Sequence, residues 1–369
     1  MSILHIILQN FFSFLAIISL IVFVHEFGHF IVARLCGVKV ETFSLGFGKE
    51  LFGRTDKKGT RWKFCILPIG GYVKMYGDKN AASVPDLQEM EKMTPQEKKQ
   101  SFVFKNVYQR FAVVAAGPVA NFVFAIFIFT FLFKSNGLNT VLPVIDEVVK
   151  DGAAFTSGLK KDDEVIAIDD KKISDFNDIR QIVTSSANHE LAFKIKRQEQ
   201  ELIIKVTPQY QTSKDIFGDE VKTPMLGISA SKISHKDLNI AQAFVQANVE
   251  TYKITLAIFD SVGQLITGKR SVKELGGPIK IAQYSGKTVD MGIAMVAWFM
   301  AMISINLGAM NLLPVPMLDG GHLVFYIFEM IAKKPLTQKT QQISFQIGMA
   351  LLLTLMLFTT FNDIYNIFH

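Results

Sequence analysis

Cysteine is scarce in this chain, which has only Cys36 and Cys65 among 369 residues. Two thiols cannot form the disulfide framework of a small secreted protein, and both fall in a segment that we expect to face the reducing cytoplasm. A zinc site built from thiolates is not expected either. Both cysteines are interpreted as small apolar residues.

Basic residues are missing before the first apolar run, residues 6–32. A cleaved signal peptide begins with a positively charged segment, so we expect this run to be a retained helix. A basic stripe with aromatic readers, typical of nucleic-acid-binding modules, is also missing. Residues 34–110 carry 15 Lys and Arg against 8 Asp and Glu, and the remainder carries 24 against 25. The positive net charge of +6 therefore comes from residues 34–110, and we interpret it as a sign of membrane orientation. No nucleic-acid partner is expected.

Long apolar runs dominate what is present. The chain is 49% hydrophobic with 32 phenylalanines, although its middle third is charged and mixed. A membrane-spanning helix needs roughly 20 predominantly apolar residues. The sequence predicts a multi-span α-helical membrane protein with about four spans, near residues 6–32, 111–133, 292–313 and 343–361.

The distribution of charge predicts the orientation of these spans. Cytoplasmic loops are enriched in Lys and Arg. We therefore expect residues 34–110 and the short connection with Lys333, Lys334 and Lys339 in the cytoplasm, with both termini and residues 134–291 outside. No internal repeat is evident, which argues against a transporter.

The sequence His25-Glu26-Phe27-Gly28-His29 lies at the far end of the first apolar run. Residues i and i+4 share a helix face, so both imidazoles can reach one zinc ion, while Glu26 is placed to act on water at the metal. Ionisable side chains facing lipid would each cost about 2.5–3.5 kcal/mol. They are therefore expected to face a cavity or the protein interior.

A third zinc ligand is expected from the sequence NLLPVPMLDGGH, residues 311–322. Pro314 and Pro316 cannot continue a regular helix, and the glycines permit close backbone approach, so Asp319 is the preferred ligand. A simpler alternative is that Asp319 only caps the next helix. For His322 the sequence leaves open a supporting contact near the metal or an interfacial position, and Asn311 is a candidate substrate contact.

Together these residues resemble the site-2 protease family of intramembrane zinc metalloproteases, in its bacterial regulator-of-sigma-E protease branch. The resemblance spans nearly the whole chain, through HEFGH and NLLPVPMLDGGH together with FSLGFG (43–48), PIGGYVKM (68–75) and AGPVAN (116–121). It implies Zn²⁺ held by His25, His29 and Asp319, Glu26 as catalytic base, and a bacterial inner-membrane location with the active site towards the cytoplasm.

Residues 38–47 and 62–75 predict a membrane-associated β-hairpin or small sheet beside this site. A helical substrate must unwind before cleavage, and its freed backbone needs new partners, which an exposed strand edge supplies. An ordinary cytoplasmic hairpin is the alternative. Further candidate substrate-binding residues, besides Asn311, are Pro314, Pro316, Gly46, Gly48, Gly70, Gly71 and Tyr72.

Residues 141–208 show four β-like runs and a helical stretch near 176–183, and resemble one extracytoplasmic PDZ-like α+β domain. It could bind a peptide, screen substrates by bulk, or act as a spacer. Residues 238–267 are amphipathic and are expected to lie on the outer membrane surface, with packing under the PDZ-like domain as the alternative. Residues 81–101 are expected to form a mobile cytoplasmic loop. The expected domains are a membrane part (1–133), the PDZ-like domain (134–235), an amphipathic surface segment (236–288) and a second membrane part (289–369).

The expected substrates are single-span membrane proteins, such as anti-sigma factors, or remnant signal peptides in the bilayer. The sequence does not choose between them. The main alternative function is a non-catalytic membrane scaffold with a structural zinc ion and a PDZ interaction module. Glu26 argues against the scaffold, because a structural site needs no carboxylate beside its ligands and more often has four protein ligands.

Overall fold

The computed structural model describes residues 3–78, 90, 92–186, 189–214, 220–268 and 276–368. The chain divides into two compact units, one formed by Met1–Leu132 with Phe244–His369 and the other by Phe133–Ala243. The first part of the chain contains α1 (Ile3–Leu35), β1 (Val40–Thr55), β2 (Arg61–Met75), α2 (Pro95–Gln100) and α3 (Val107–Asn136). The last part contains α6 (Ile240–Ile266), α7 (Pro278–Asp290), α8 (Ile293–Asn311), α9 (Asp319–Ala332) and α10 (Gln338–Phe368).

Four of these helices are long and apolar enough to cross a membrane. Their qualifying segments are Leu4–Leu35, Val107–Asn136, Ile293–Asn311 and Lys339–Tyr365. The prediction of four apolar spans is therefore confirmed. Three of the helices extend beyond the predicted apolar runs, because polar residues at the ends continue the same hydrogen-bonded helix.

Small residues allow the membrane helices to approach closely. A Cβ added at Gly28 of α1 would overlap the carbonyl oxygen of Ala116 in α3. A Cβ added at Gly308 of α8 would lie 3.1 Å from the carbonyl oxygen of Pro118, also in α3. Because lipid offers no hydrophobic drive for helix association, such close backbone contact supplies van der Waals packing instead. Helix α3 thus packs directly against both α1 and α8.

Strands β1 and β2 form the predicted sheet next to α1. Phe43, in the first half of β1, pairs with Val73 in the second half of β2 and with Trp62 in its first half. The second half of β1 pairs with the first half of β2, so that Arg54 opposes Trp62. In the part of the chain that the structure describes, the two edges of this sheet are therefore residues 71–75 and the second half of β1.

The turn between β1 and β2 is tied to the end of α1. Arg34 donates to Oδ2 of Asp56 at 2.5 Å and to Oγ1 of Thr60 at 2.9 Å. Although desolvation raises the pKa of Asp56, hydrogen bonds from Trp62, Thr60 and Arg34 outweigh it and hold that pKa well below its usual range. The carboxylate is thus charged at neutral pH and fixes the sheet to the helix.

The second unit is an α+β module whose four-stranded sheet has the order β6-β5-β7-β8. Its elements are β3 (Leu138–Val141), β4 (Glu147–Val148), α4 (Ala153–Thr156), β5 (Glu164–Ile168), β6 (Lys171–Lys172), α5 (Phe176–Ser185), β7 (Leu191–Arg197), β8 (Gln200–Val206), β9 (Gln209–Lys214), β10 (Glu220–Met225), β11 (Ile228–Ser229) and β12 (Ile233–Lys236). Buried Asp163 accepts two hydrogen bonds from Arg197, each 2.7 Å long.

The sequence patterns of β5, β7, β8 and α5 predicted those elements closely. Of the predicted run 144–149, the structure forms only β4 as a strand, with an isolated bridge at Val144. Strands β9 to β12 were not predicted, because they are short or carry few apolar residues. Strands β9 and β10 pair with each other, whereas β11 and β12 gain their order from partners distant in sequence. The pairs β12–β3 and β11–β4, for example, join the two ends of this unit.

The predicted mobile loop at residues 81–101 is wrong for residues 95–100, which form α2. Thr94 accepts a hydrogen bond from the backbone N–H of Glu97, and Glu97 accepts one from the backbone N–H of Thr94. This reciprocal capping box, followed by Pro95 at the first helical position, starts a helix despite the polar composition. Residues 81–89 and 91 lie outside the described residues.

The predicted amphipathic stretch 238–267 is observed as α6, a helix from Ile240 to Ile266. Residues 269–275 lie outside the described residues, and α7 begins at Pro278. The start of α7 is capped by a residue from another helix. The carboxylate of Asp363 in α10 accepts from the backbone N–H groups of Gly277 at 2.8 Å, Ile279 at 3.0 Å and Lys280 at 3.1 Å.

Replacing Asp363 by Ala should therefore destabilise the first unit by about 2 kcal/mol, since three backbone donors lose a charged acceptor. The measurement is the thermal unfolding midpoint of the full chain in detergent. Asp260→Ala, at an exposed position of α6, is the control and should leave the midpoint unchanged. Equal midpoints for the two variants would contradict this account of α7.

Candidate active site

Two buried histidines on α1 form the centre of the site. His25 and His29 are one turn apart, and their Nε2 atoms lie 3.3 Å from each other. Only 8% of His25 and 9% of His29 is solvent-exposed. The i, i+4 spacing therefore brings both imidazoles to one point, as the sequence predicted.

Asp319 meets the histidines from a distant part of the chain. Its Oδ2 lies 3.1 Å from Nε2 of His25 and 3.5 Å from Nε2 of His29. One donor atom from each of the three residues lies within 4.8 Å of the others. The structure thus brings together the three residues that were predicted to hold a metal.

The position of Asp319 follows from the break between α8 and α9. Helix α8 ends at Asn311, and Asp319 is the first residue of α9. Met317 has a positive φ of 89°, uncommon for a residue with a side chain. Side chains at Gly320 or Gly321 would overlap the carbonyl oxygen of Leu313 or lie 2.5 Å from that of Val315. The glycines therefore allow the broken segment to fold tightly against α9 and present the carboxylate.

These donors fit a zinc ion. Oδ2 of Asp319 is buried and has no hydrogen-bond partner within the described residues, although two imidazole nitrogens face it. A buried carboxylate oxygen without a donor is costly, and a cation at this point would satisfy it together with both imidazoles. Two nitrogens and one oxygen are a typical zinc donor set that leaves a coordination position for water.

Helix α3 also contacts both histidines and fixes the position of their rings. Nδ1 of His29 lies 2.9 Å from the carbonyl oxygen of Val113, which can only accept a hydrogen bond. His29 therefore carries its proton on Nδ1 and keeps the Nε2 lone pair for a metal. A Cβ added at Gly117, one turn along α3, would overlap Nε2 of His29 and lie 2.9 Å from Cε1 of His25. Gly117 keeps this space open.

Glu26 lies beside the histidines and next to strand β2. Its side chain is half-buried. A Cβ added at Gly71 would lie 3.0 Å from Cγ of Glu26 and 2.8 Å from the carbonyl oxygen of Ser44. The edge segment 71–75 of the sheet therefore begins in contact with this carboxyl side chain.

The predicted substrate-binding residues fall in two places. Gly46, Gly48, Gly70, Gly71 and Tyr72 lie in the sheet, where Gly46, Gly48 and Gly70 have positive φ values of 90°, 88° and 100°. The Tyr72 ring stacks on Phe47 with a centroid distance of 5.9 Å. Asn311, Pro314 and Pro316 lie at the break after α8, where Pro314 is exposed and the other two are half-buried.

His322 is half-buried, and its ring packs against Phe345 at a centroid distance of 5.2 Å. Sequence reasoning assigned no role to three residues of α3 that contact or make room for the histidines, namely Val113, Gly117 and Asn121. Asn121 is detectable as an amide within an apolar span, but its partner depends on how α3 packs.

A bundle of apolar helices with a zinc-type donor set and an adjacent glutamate defines a membrane-embedded zinc metallopeptidase. Residues 13–355 match the model of Peptidase family M50. The chain belongs to this family, that of the site-2 proteases, and is a zinc metalloprotease whose cofactor is Zn²⁺.

Known relatives agree with this assignment over almost their whole length. A protein of Agrobacterium fabrum, named as an inferred zinc metalloprotease, is 41% identical over 355 residues, covering 95% of this chain and 94% of the relative. A similarly named protein of Rickettsia conorii is 39% identical, with 96% and 98% coverage. Metalloprotease MmpA of Caulobacter vibrioides is 34% identical, with 96% of each chain covered.

Replacing Gly117 by Ala should reduce bound zinc to well below one ion per chain, because the new methyl group would occupy the space of His29 Nε2. Metal analysis of the purified protein in detergent measures this. Gly263→Ala in α6 is the matched control, since an added Cβ there meets nothing within 4 Å. Full zinc content in the Gly117 variant would show that the imidazoles do not need this space.

Proposed function

We propose that this zinc metalloprotease hydrolyses peptide bonds within the transmembrane segments of membrane proteins. The main supporting observation is the convergence of His25, His29 and Asp319 beside Glu26, where both histidines and Glu26 lie on α1, a helix apolar enough to span a bilayer. Ionisable groups at such a depth are costly unless they face a cavity or have partners. Their placement favours a substrate that also lies within the membrane.

The geometry supports the following proposed roles. His25, His29 and Asp319 would hold the zinc ion. Glu26 lies beside them and is not a proposed ligand, so its carboxylate is available for proton transfer. Zinc, when bound, supplies Lewis acidity that polarises a carbonyl group and makes water a better nucleophile. Glu26 accepts the proton of the attacking water and then delivers it to the nitrogen of the leaving amine. The same carboxyl group thus acts as base and then as acid.

The sheet edge formed by residues 71–75 is the proposed binding site for the unwound substrate. A stretch of substrate that leaves its helix exposes backbone N–H and C=O groups, and these need partners in an apolar environment. An added strand along this edge would supply them. Because Gly71 begins the edge and contacts Glu26, a bound strand would pass close to the carboxylate.

The break at residues 312–318 is proposed to hold the other side of the substrate. Asn311 ends α8 with a half-buried amide that can donate to a substrate carbonyl or to the developing oxyanion. Pro314 and Pro316 lack backbone donors, so they prevent the segment from closing into a helix. We propose that this open segment and the sheet edge flank the extended substrate.

The physiological substrates are proposed to be single-span membrane proteins, including anti-sigma factors, or remnant signal peptides. The basic residues of 34–110 support a cytoplasmic location for this segment in a bacterial inner membrane, with both termini outside. The second unit, with its order of strands and helix α5, is proposed to be an extracytoplasmic PDZ-like domain. It would bind an extended peptide or restrict access by bulk.

Replacing Glu26 by Gln should reduce cleavage of single-span helical substrates in proteoliposomes by about 100-fold or more, because the proton acceptor is lost. Zinc content should stay at the wild-type value, since Glu26 is not a proposed ligand. Glu190→Gln, at an exposed carboxyl group of the second unit, is the control and should cleave normally. Wild-type protein that cuts unfolded soluble chains but no helical membrane substrate would overturn the proposal.

A photoreactive amino acid at position 72 should crosslink to substrate in the Glu26→Gln background, since Tyr72 lies on the proposed binding edge. The same amino acid at Phe52 is the matched control, because this residue lies on the other edge of the sheet and is 68% exposed. Mass spectrometry would locate the crosslinks on a single-span substrate. Equal crosslinking from both positions would count against strand addition at residues 71–75.

A further inference from the structure

Asn121 is a fully buried amide on the face of α3 that meets the two histidines. Val113, Gly117 and Asn121 follow one another at four-residue spacing, so they share one helix face. Val113 contacts His29, whereas Nδ2 of Asn121 lies 3.1 Å from Nδ1 of His25. Each imidazole of the proposed metal site thus has its own partner on α3.

We propose that Asn121 is a positioning residue, which accepts a hydrogen bond from Nδ1–H of His25 and thereby directs the lone pair of Nε2 towards zinc. This inference rests on the proposed role of His25 as a ligand. A zinc-bound neutral imidazole normally donates its second N–H to a carbonyl, a carboxylate or water. For His25, the group at that position is the Asn121 amide.

The orientation of the amide decides whether it can do this. With Nδ2 facing His25, Nδ1 would have to accept, the proton would sit on Nε2, and Nε2 could not bind a metal. In that orientation Oδ1 of Asn121 is also buried without a partner within the described residues. A half-turn of the amide exchanges its oxygen and nitrogen in the same space. Oδ1 then accepts from Nδ1–H, and the lone pair of Nε2 becomes free.

Helix α8 holds Asn121 in place. Oγ of Ser304 donates to the backbone carbonyl oxygen of Asn121 at 2.9 Å. A Cβ added at Gly308 would lie 3.3 Å from Cβ of Asn121. Because α8 leads into the break that carries Asp319, the residue that orients His25 packs on the helix that positions the third donor.

The test compares two substitutions of similar size in the full chain in detergent. Asn121→Leu removes the acceptor and should weaken zinc affinity by about 10–100-fold, measured by competition with a chromophoric chelator. Asn121→Asp keeps an acceptor and should retain affinity near the wild-type value. Thr130→Val, which removes a hydroxyl that bonds only the carbonyl oxygen of Ile126 within α3, is the control and should keep wild-type affinity. The d–d absorption spectrum of Co²⁺-loaded protein should change for Asn121→Leu and be restored by Asn121→Asp.

Thermal unfolding of the metal-free proteins separates this effect from misfolding, and the rescue by Asp keeps the test decisive if the Leu variant is unstable. Wild-type zinc affinity for Asn121→Leu would overturn the proposal. Equal loss in the Leu and Asp variants, with unfolding midpoints unchanged, would also overturn it. His25→Ala is measured in parallel. If His25→Ala binds zinc normally, the proposed ligand set itself is wrong, which is a different failure.

Discussion

The close approach of α1 and α3 is the constraint on which the rest of the site depends. Two imidazoles and a carboxylate within apolar helices are tolerated only if the surrounding groups satisfy them and exclude lipid. Gly28 and Gly117 remove the side chains that would keep the helices apart. Backbone and amide groups of α3 can then reach the histidines. The geometry of the metal site therefore depends directly on how closely these helices pack.

Much of this arrangement was readable from the sequence because it depends on short-range chemistry. Apolar length predicted the four spans, and the spacing of His25 and His29 predicted their convergence. The choice of Asp319 rested on residue type and on the proline break, and the structure brings it to the histidines. The capping box of α2 was also encoded locally, but its polar surroundings concealed it.

The remainder depends on contacts between distant segments, which a single sequence does not reveal. Asn121 is visibly unusual in its span, yet its neighbour His25 follows only from the helix pairing. The sequence predicted a hairpin or small sheet, but the double pairing of Phe43 with both halves of β2, which decides which residues form the edges, follows only from the folded structure. The cap that Asp363 provides for α7 joins residues from two separate helices, so no local pattern signals it.

The origin of Asp319 in a late segment has a consequence for biogenesis. A ribosome delivers α1 early, and domains generally fold in the order of their synthesis. A nascent chain thus carries the histidine pair for most of its translation without the carboxylate that converges on it. The donor set becomes complete only after α8 has been inserted and its break has formed. Under the proposed ligands, the growing chain therefore cannot hold its metal with the full donor set until this late segment has been inserted and folded.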